Sequence, residues 1–208
     1  MFVLTRRAPQ VLFLGVVFAV AAALWGVLDA PLPNATGASN GSVPAWRLMS
    51  LASGVLPALA LHSPLQQLEQ VATRNLLRAT TGYFIIIAAI SWLLFLVGAN
   101  VALNGDLVLV VARSLLAWCG LSLMSGRIIG WRLGWVLPAI VFCVVIALGT
   151  VDEGSAFPWW DFTAASWNSL STAALSLAIL VGGILSIVLD PWRVRGVTSL
   201  VSRLSITR

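Results

Sequence analysis

Arg113 is the residue of this chain whose position most calls for a chemical explanation. It stands inside the long apolar run Leu107–Met124. An ionisable group there is costly unless it faces protein, water or an acidic partner, so it marks a candidate functional position. Asp106 lies two turns earlier on the same helical face, and Asn168, Asn100 and Asn104 fall near the same level. Arg113, Asp106 and Asn168 therefore form either a buried ion pair or part of a substrate path. Bond-making chemistry finds little support. His62 is the only histidine and sits at the end of an apolar run, which excludes multi-histidine metal sites and a mid-run serine–histidine pair. No lysine is present, so there is no Walker-type nucleotide loop. Cys119 and Cys143 lie in apolar runs, where free thiols behave as small hydrophobes. The expectation is a non-enzyme with no metal and no cofactor of its own.

Two polar segments carry the remaining signals. In 62–82, Ser63 can cap a helix, Pro64 suits its first turn, and Gln66 completes a capping box. Leu65, Leu68, Ala72 and Leu76 then recur at helical spacing, opposite a face bearing Gln66, Gln67, Gln70, Arg74 and Arg78. This predicts an amphipathic helix of about four turns that either lies on the membrane surface or docks a partner through Ser63, Leu65, Gln67, Leu68, Glu69, Gln70 and Arg74. The second segment is Phe157-Pro158-Trp159-Trp160-Asp161-Phe162, followed by Trp167. Tryptophan favours the membrane–water boundary because its ring is apolar and its N–H polar. Trp159, Trp160, Asp161 and Trp167 thus read as an interfacial anchor or an outer gate, in a short helix or re-entrant segment.

The elements that must hold these residues follow from composition. Of 208 residues, 60% are hydrophobic and 9% charged, with a mean hydropathy of +0.99. Soluble domains carry about 25% charged residues, so a soluble globular or disordered chain is excluded. Six apolar runs reach the length of about 17–25 residues that a bilayer core requires: 11–28, 45–61, 83–99, 107–124, 133–151 and 167–189. The second is the weakest, holding Arg47, Ser50, Ser53, Gly54 and Pro57. The first is long for a secretory signal, so it is expected to remain as a span. The fold expected is all-α and polytopic, a single transmembrane domain over 1–208 with a basic interfacial tail at 190–208. All twelve basic residues are arginine, and a cytoplasmic N-terminus places ten of them on the inner side, leaving only Arg47 and Arg113 elsewhere. By the positive-inside rule both termini are cytoplasmic. Arginines dispersed among apolar runs report orientation, so nucleic acid is not an expected partner despite the net charge of +5. The absence of lysine and abundance of alanine, leucine, valine and glycine point to a bacterial, high-GC origin, hence to the bacterial cytoplasmic membrane.

Six spans with both ends inside, the helix Ser63–Arg78 between spans two and three, and the excursion Phe157–Trp167 between spans five and six together resemble the permease subunit of an ATP-binding-cassette exporter, in a short actinobacterial form. The run Ser63-Pro64-Leu65-Gln66-Gln67-Leu68-Glu69 resembles an S-P-L-x-x-L-E pattern of small actinobacterial permease-like proteins. The resemblance covers the whole chain as topology. It implies a cytoplasmic ATPase subunit that supplies ATP and Mg, a second permease subunit (identical or related), lipid contact, and export of a peptide, lipid or drug-like substrate. In such permeases the segment 63–78 would be the coupling helix and 157–167 the outer excursion. The segment Met1–Gln10 is brief for the interfacial helix these permeases usually carry. Two other readings fit the same chain: the substrate-binding membrane subunit of an energy-coupling-factor importer, with a pocket near Arg113, and an accessory subunit of a larger membrane complex.

Overall fold

The computed structural model describes residues 8–32, 41–61, 74–148 and 158–188. The segment 62–73, carrying Ser63, Leu65, Gln67, Leu68, Glu69 and Gln70, and the tail 190–208 fall outside the described residues. The described part is mostly helical: α1 (Ala8–Trp25), α2 (Ala45–Leu59), α3 (Arg74–Ala102), α4 (Gly105–Ile128), α5 (Val136–Leu148) and α6 (Leu170–Val188). Five stretches are long and apolar enough to cross a membrane, namely α1, residues 81–102 of α3, α4, residues 131–148 and α6. They point to a membrane protein.

The second apolar run departs from expectation. It forms a helix of only 15 residues, about 22 Å at 1.5 Å per residue, against about 30 Å of bilayer hydrocarbon. Its buried residues include Trp46, Ser50, Ser53, Gly54 and Val55–Ala58, and it packs on α1, α3 and α4. Partial enclosure by other helices relieves a short, serine-bearing helix of presenting polar groups to lipid. Pro57 lies within it, removing one backbone donor near its end.

Before α2 lies a second unexpected element, a two-stranded antiparallel ribbon, β1 (Asp29–Leu32) with β2 (Gly41–Pro44). Each strand carries a proline, which a two-stranded ribbon tolerates because both strands are edges. Ala45 N donates to Leu28 O at 2.8 Å and Trp46 N to Gly26 O at 3.1 Å, tying the end of α1 to the start of α2.

The bundle is centred on α4, two thirds of whose span is buried, against less than a third in the other four. Close approaches fix the directions. A side chain added at Gly15 would meet Ser91, and one at Gly98 would meet Ala19, so α1 and α3 run parallel. Arg113 bonds Thr172 and Gly120 abuts Ile179, so α4 and α6 do too. Consecutive helices therefore alternate in direction. One end of the bundle collects the ribbon and residues 158–169; the other collects the start of α3 with Arg74, and the α4–α5 turn with Arg127 and Arg132. In that turn Gly130 has φ of 116°, a conformation glycine adopts without steric cost. The helix of Arg74 continues unbroken into the span to Ala102, so the backbone of 74–82 extends the third span rather than forming a separate element. Pro138, third residue of α5, sits where a helix has no use for its N–H.

Candidate functional site

The site is built on the turn-rich segment 158–169, which folds into the ribbon end of the bundle between α2, α4 and α6. Asp161 organises it. Its Oδ1 accepts bonds from Thr163 N at 2.9 Å, Thr163 Oγ1 at 2.6 Å and Ala164 N at 3.0 Å, the local turn chemistry at which aspartate excels. Asp161 and Thr163 are fully buried, with Phe162 and Ala165 nearly so. Phe162 stacks edge-on to Trp118 with ring centres 4.8 Å apart, and Phe142 of α5 meets the same indole at 5.9 Å.

Arg113 pins the segment to the bundle. Its Nε donates to Phe162 O at 3.3 Å, Nη1 to Ser166 O at 3.0 Å and to Thr172 Oγ1 at 2.6 Å, and Nη2 to Ala165 O at 2.7 Å. Thr172 in turn donates to Ser169 O at 3.0 Å, and Ser114 Oγ donates to Phe162 O at 3.2 Å. A planar guanidinium with five donors suits such a fork of carbonyls. Carbonyl dipoles thus solvate a cation about 12 Å along α4 from its first residue. From α2, Arg47 Nη1 stands 3.9 Å from Asp161 Oδ2. Two guanidinium groups and one carboxylate thus share this cluster.

An open cleft of about 420 Å³ borders the cluster, walled by Trp92 and Leu96 of α3, Ala112, Arg113 and Leu116 of α4, and Trp167 of the segment. Among the described residues, Arg113 is its only charged wall. The polar side chains deeper in the bundle largely bond back to their own helices, as Ser50 to Arg47 O and Ser176 to Thr172 O do.

The residues singled out in the sequence are partly brought together. Asp161 and Arg113 meet in one cluster, and Trp167 joins Arg113 at the cleft. Trp159 and Trp167 are exposed, as interfacial anchors would be, and Trp160 is half-buried. Asp106 is exposed in the first turn of α4, where it faces the positive end of the helix dipole. The guanidinium of Arg113 turns to the segment instead, so among the described residues no ion pair joins the two. Asn168 is exposed and accepts a bond from Ser166 Oγ at 2.8 Å. Arg74 is the first residue of α3. Sequence reasoning missed Arg47, Thr172, Ser114 and Phe162 as members. Arg47 could have been found as the second arginine within an apolar run; backbone acceptors and a threonine carry no such mark.

Asp161→Asn should keep the Oδ1 acceptor while losing the charge opposite Arg47. We expect a loss of about 1–2 kcal/mol, read from the unfolding midpoint in a denaturing-detergent series. A change below a few tenths would mean that the carboxylate charge contributes nothing.

Compared with protein-family models, curated proteins and solved structures, the chain matches none. The fold and the site thus rest on their own geometry: a mostly helical chain with five membrane-length helices and a segment latched into one end by a buried arginine.

Proposed function

We propose that this chain is the membrane-embedded permease subunit of an ATP-driven exporter in a bacterial cytoplasmic membrane, working with a separate cytoplasmic ATPase and a second permease subunit. The observation that supports this reading best is the segment 158–169. It re-enters the bundle before the last span, in the place where such permeases carry their outer excursion. The arginines agree with the orientation. Arg74, Arg127 and Arg132 belong to the end opposite the segment, while Arg47 and Arg113, at the segment's end, are largely buried. With the segment outside, the connection 62–73 between α2 and α3 falls on the cytoplasmic side, where an ATPase can reach it. ATP binding and hydrolysis belong to that partner. Movement transmitted through 63–78 would rock the spans and release the latched segment, opening a path outward. The cleft beside Arg113 favours one other reading, in which this subunit binds a small molecule itself and serves an importer.

The test is substitution on the polar face of 63–78. Gln67→Glu or Gln70→Trp should leave the spans folded yet lose co-purification of the ATPase, or uncouple hydrolysis from transport. Ser63→Ala should cost about 0.5–2 kcal/mol of local helix stability and weaken coupling only partly. Unchanged ATPase capture and transport in both polar-face variants would overturn the exporter reading.

A further inference from the structure

We infer that a buried water molecule bridges Asp161 Oδ2 and Trp118 Nε1, giving the latched segment a second polar tie to α4 beside the Arg113 fork. This goes beyond the transport reading and does not depend on an ATPase partner.

The starting point is two polar atoms that the protein's own groups leave unsatisfied. Asp161 spends Oδ1 on three bonds within its own turn, while Oδ2 is buried and accepts none. Arg47 Nη1 stands 3.9 Å from it, beyond the about 2.7–3.2 Å of an N–H···O bond. Trp118 Nε1 is likewise buried without an acceptor. Both side chains are fully enclosed. Buried groups of this kind are ordinarily paired with protein or with ordered water.

Packing brings the two together. The ring of Phe162, the residue after Asp161, stacks edge-on against the Trp118 indole with centres 4.8 Å apart. Ser114, one turn before Trp118, holds Phe162 O at 3.2 Å. On the other side, α2 lies against the same residue: a Cβ at Gly54 would be 2.5 Å from Trp118 Cβ. A helical side chain leans toward the start of its helix, so the indole rises from Gly54 toward the level of Arg47 and Asp161. The two unsatisfied atoms thus share the corner where α2, α4 and the segment meet.

The chemistry of that corner selects the occupant. An indole N–H only donates and a carboxylate oxygen only accepts, so a bridging molecule must do both. A metal cation would sit against the N–H donor and the Arg47 guanidinium, and an anion against the carboxylate. Water is neutral, accepts from Nε1 and donates to Oδ2. A buried water makes about two to four hydrogen bonds, and Arg47 Nη1 is placed to give a third. Polar groups more than about 3.5 Å apart are the usual setting for such a bridge.

The experiment is radiolytic footprinting of the purified full chain in detergent micelles, in water enriched in oxygen-18, read by peptide mass spectrometry. Hydroxyl radicals made from a bound water oxidise the side chain beside it even when that side chain has no exposed surface. Trp118 should therefore take up label, while Phe95, equally enclosed but in an apolar cluster, should not. The second readout is coupling. Trp118→Phe keeps an aromatic ring against Phe162 and removes the N–H. In that background Asp161→Asn should shift the unfolding midpoint less than it does in the unaltered chain, because groups that share a partner are not additive. Trp118 labelled no faster than Phe95 would overturn the inference, and so would additive shifts. Label at Trp118 accompanied by thiol labelling of Ala165→Cys in the same micelles would come from an open segment and would overturn it too.

Discussion

Arg113→Leu should destabilise the folded chain by about 3–5 kcal/mol, the range found when one member of a buried ionic network is deleted. The change leaves the carbonyls of Ala165 and Ser166 and the hydroxyl of Thr172 without the donor they now share, and leaves Phe162 O with Ser114 Oγ alone. Buried acceptors left empty cost more than the bonds gained in making them. The loss should be visible twice. The unfolding midpoint in a denaturing-detergent series should fall, and protease should cut within 158–169, which the intact latch protects. Arg113→Lys should recover only part of the loss, because an ammonium offers three donors from one point and cannot span carbonyls arranged around a planar fork. Full rescue by lysine would mean that charge alone matters there and that the fork geometry does not.

The crossing of α4 and α6 should be equally intolerant of added bulk. A Cβ at Gly120 would lie 2.5 Å from Ile179 O, and one at Gly183 would lie 2.5 Å from Gly120 O. Two backbones touch here, so no flexible side chain can yield. Between helices that lipid solvates as well as it solvates leucine, close backbone packing supplies much of the association. Gly120→Leu or Gly183→Leu should therefore separate the two helices, with a loss above the about 1–3 kcal/mol typical of overpacking and little folded protein recovered. Gly182 is the internal control: a side chain added there meets nothing within 4 Å, so Gly182→Ala should be nearly neutral. Folding yield and detergent unfolding of the three variants decide the matter. Similar behaviour of Gly182→Ala and Gly183→Leu would contradict the assigned crossing.

The spans were readable in advance because a bilayer imposes a length and an apolarity that show in any window of about 20 residues. The weakness of the second run was also visible, through Ser50, Ser53 and Pro57. Its early end at Leu59 was not, since the apolar Ala60 and Leu61 continue the run past it. The ribbon before it was hidden too, its strands being four residues long and holding prolines that argue against strand. Arg113 announced itself through the cost of a charge among apolar neighbours. Its partners did not, because three of the four are backbone carbonyls, which every residue possesses. They come from a segment some fifty positions away whose fold depends on Asp161 accepting three bonds at once. The obvious carboxylate, Asp106, lay on the right helical face, but it stays at the exposed start of α4. The Gly120–Gly183 contact was equally silent: glycines are frequent in such chains, and nothing local says which two will touch. The segment 63–78, clearest of all in its periodicity, lies mostly outside the described residues, so its role rests on sequence and on the coupling test.

Arg113 holds the segment that closes one end of the bundle, and the proposed orientation turns that end outward. Cysteine accessibility in intact cells tests both at once, in a Cys143→Ala background. Trp159→Cys, at an exposed position, and Ala165→Cys, at a buried one, are challenged with a membrane-impermeant thiol reagent, each with and without Arg113→Leu. The prediction is ready labelling at 159 from outside, protection at 165 while Arg113 is present, and labelling at 165 once it is replaced. Failure to label 159 from outside would contradict the orientation, and labelling at 165 with Arg113 intact would contradict the latch.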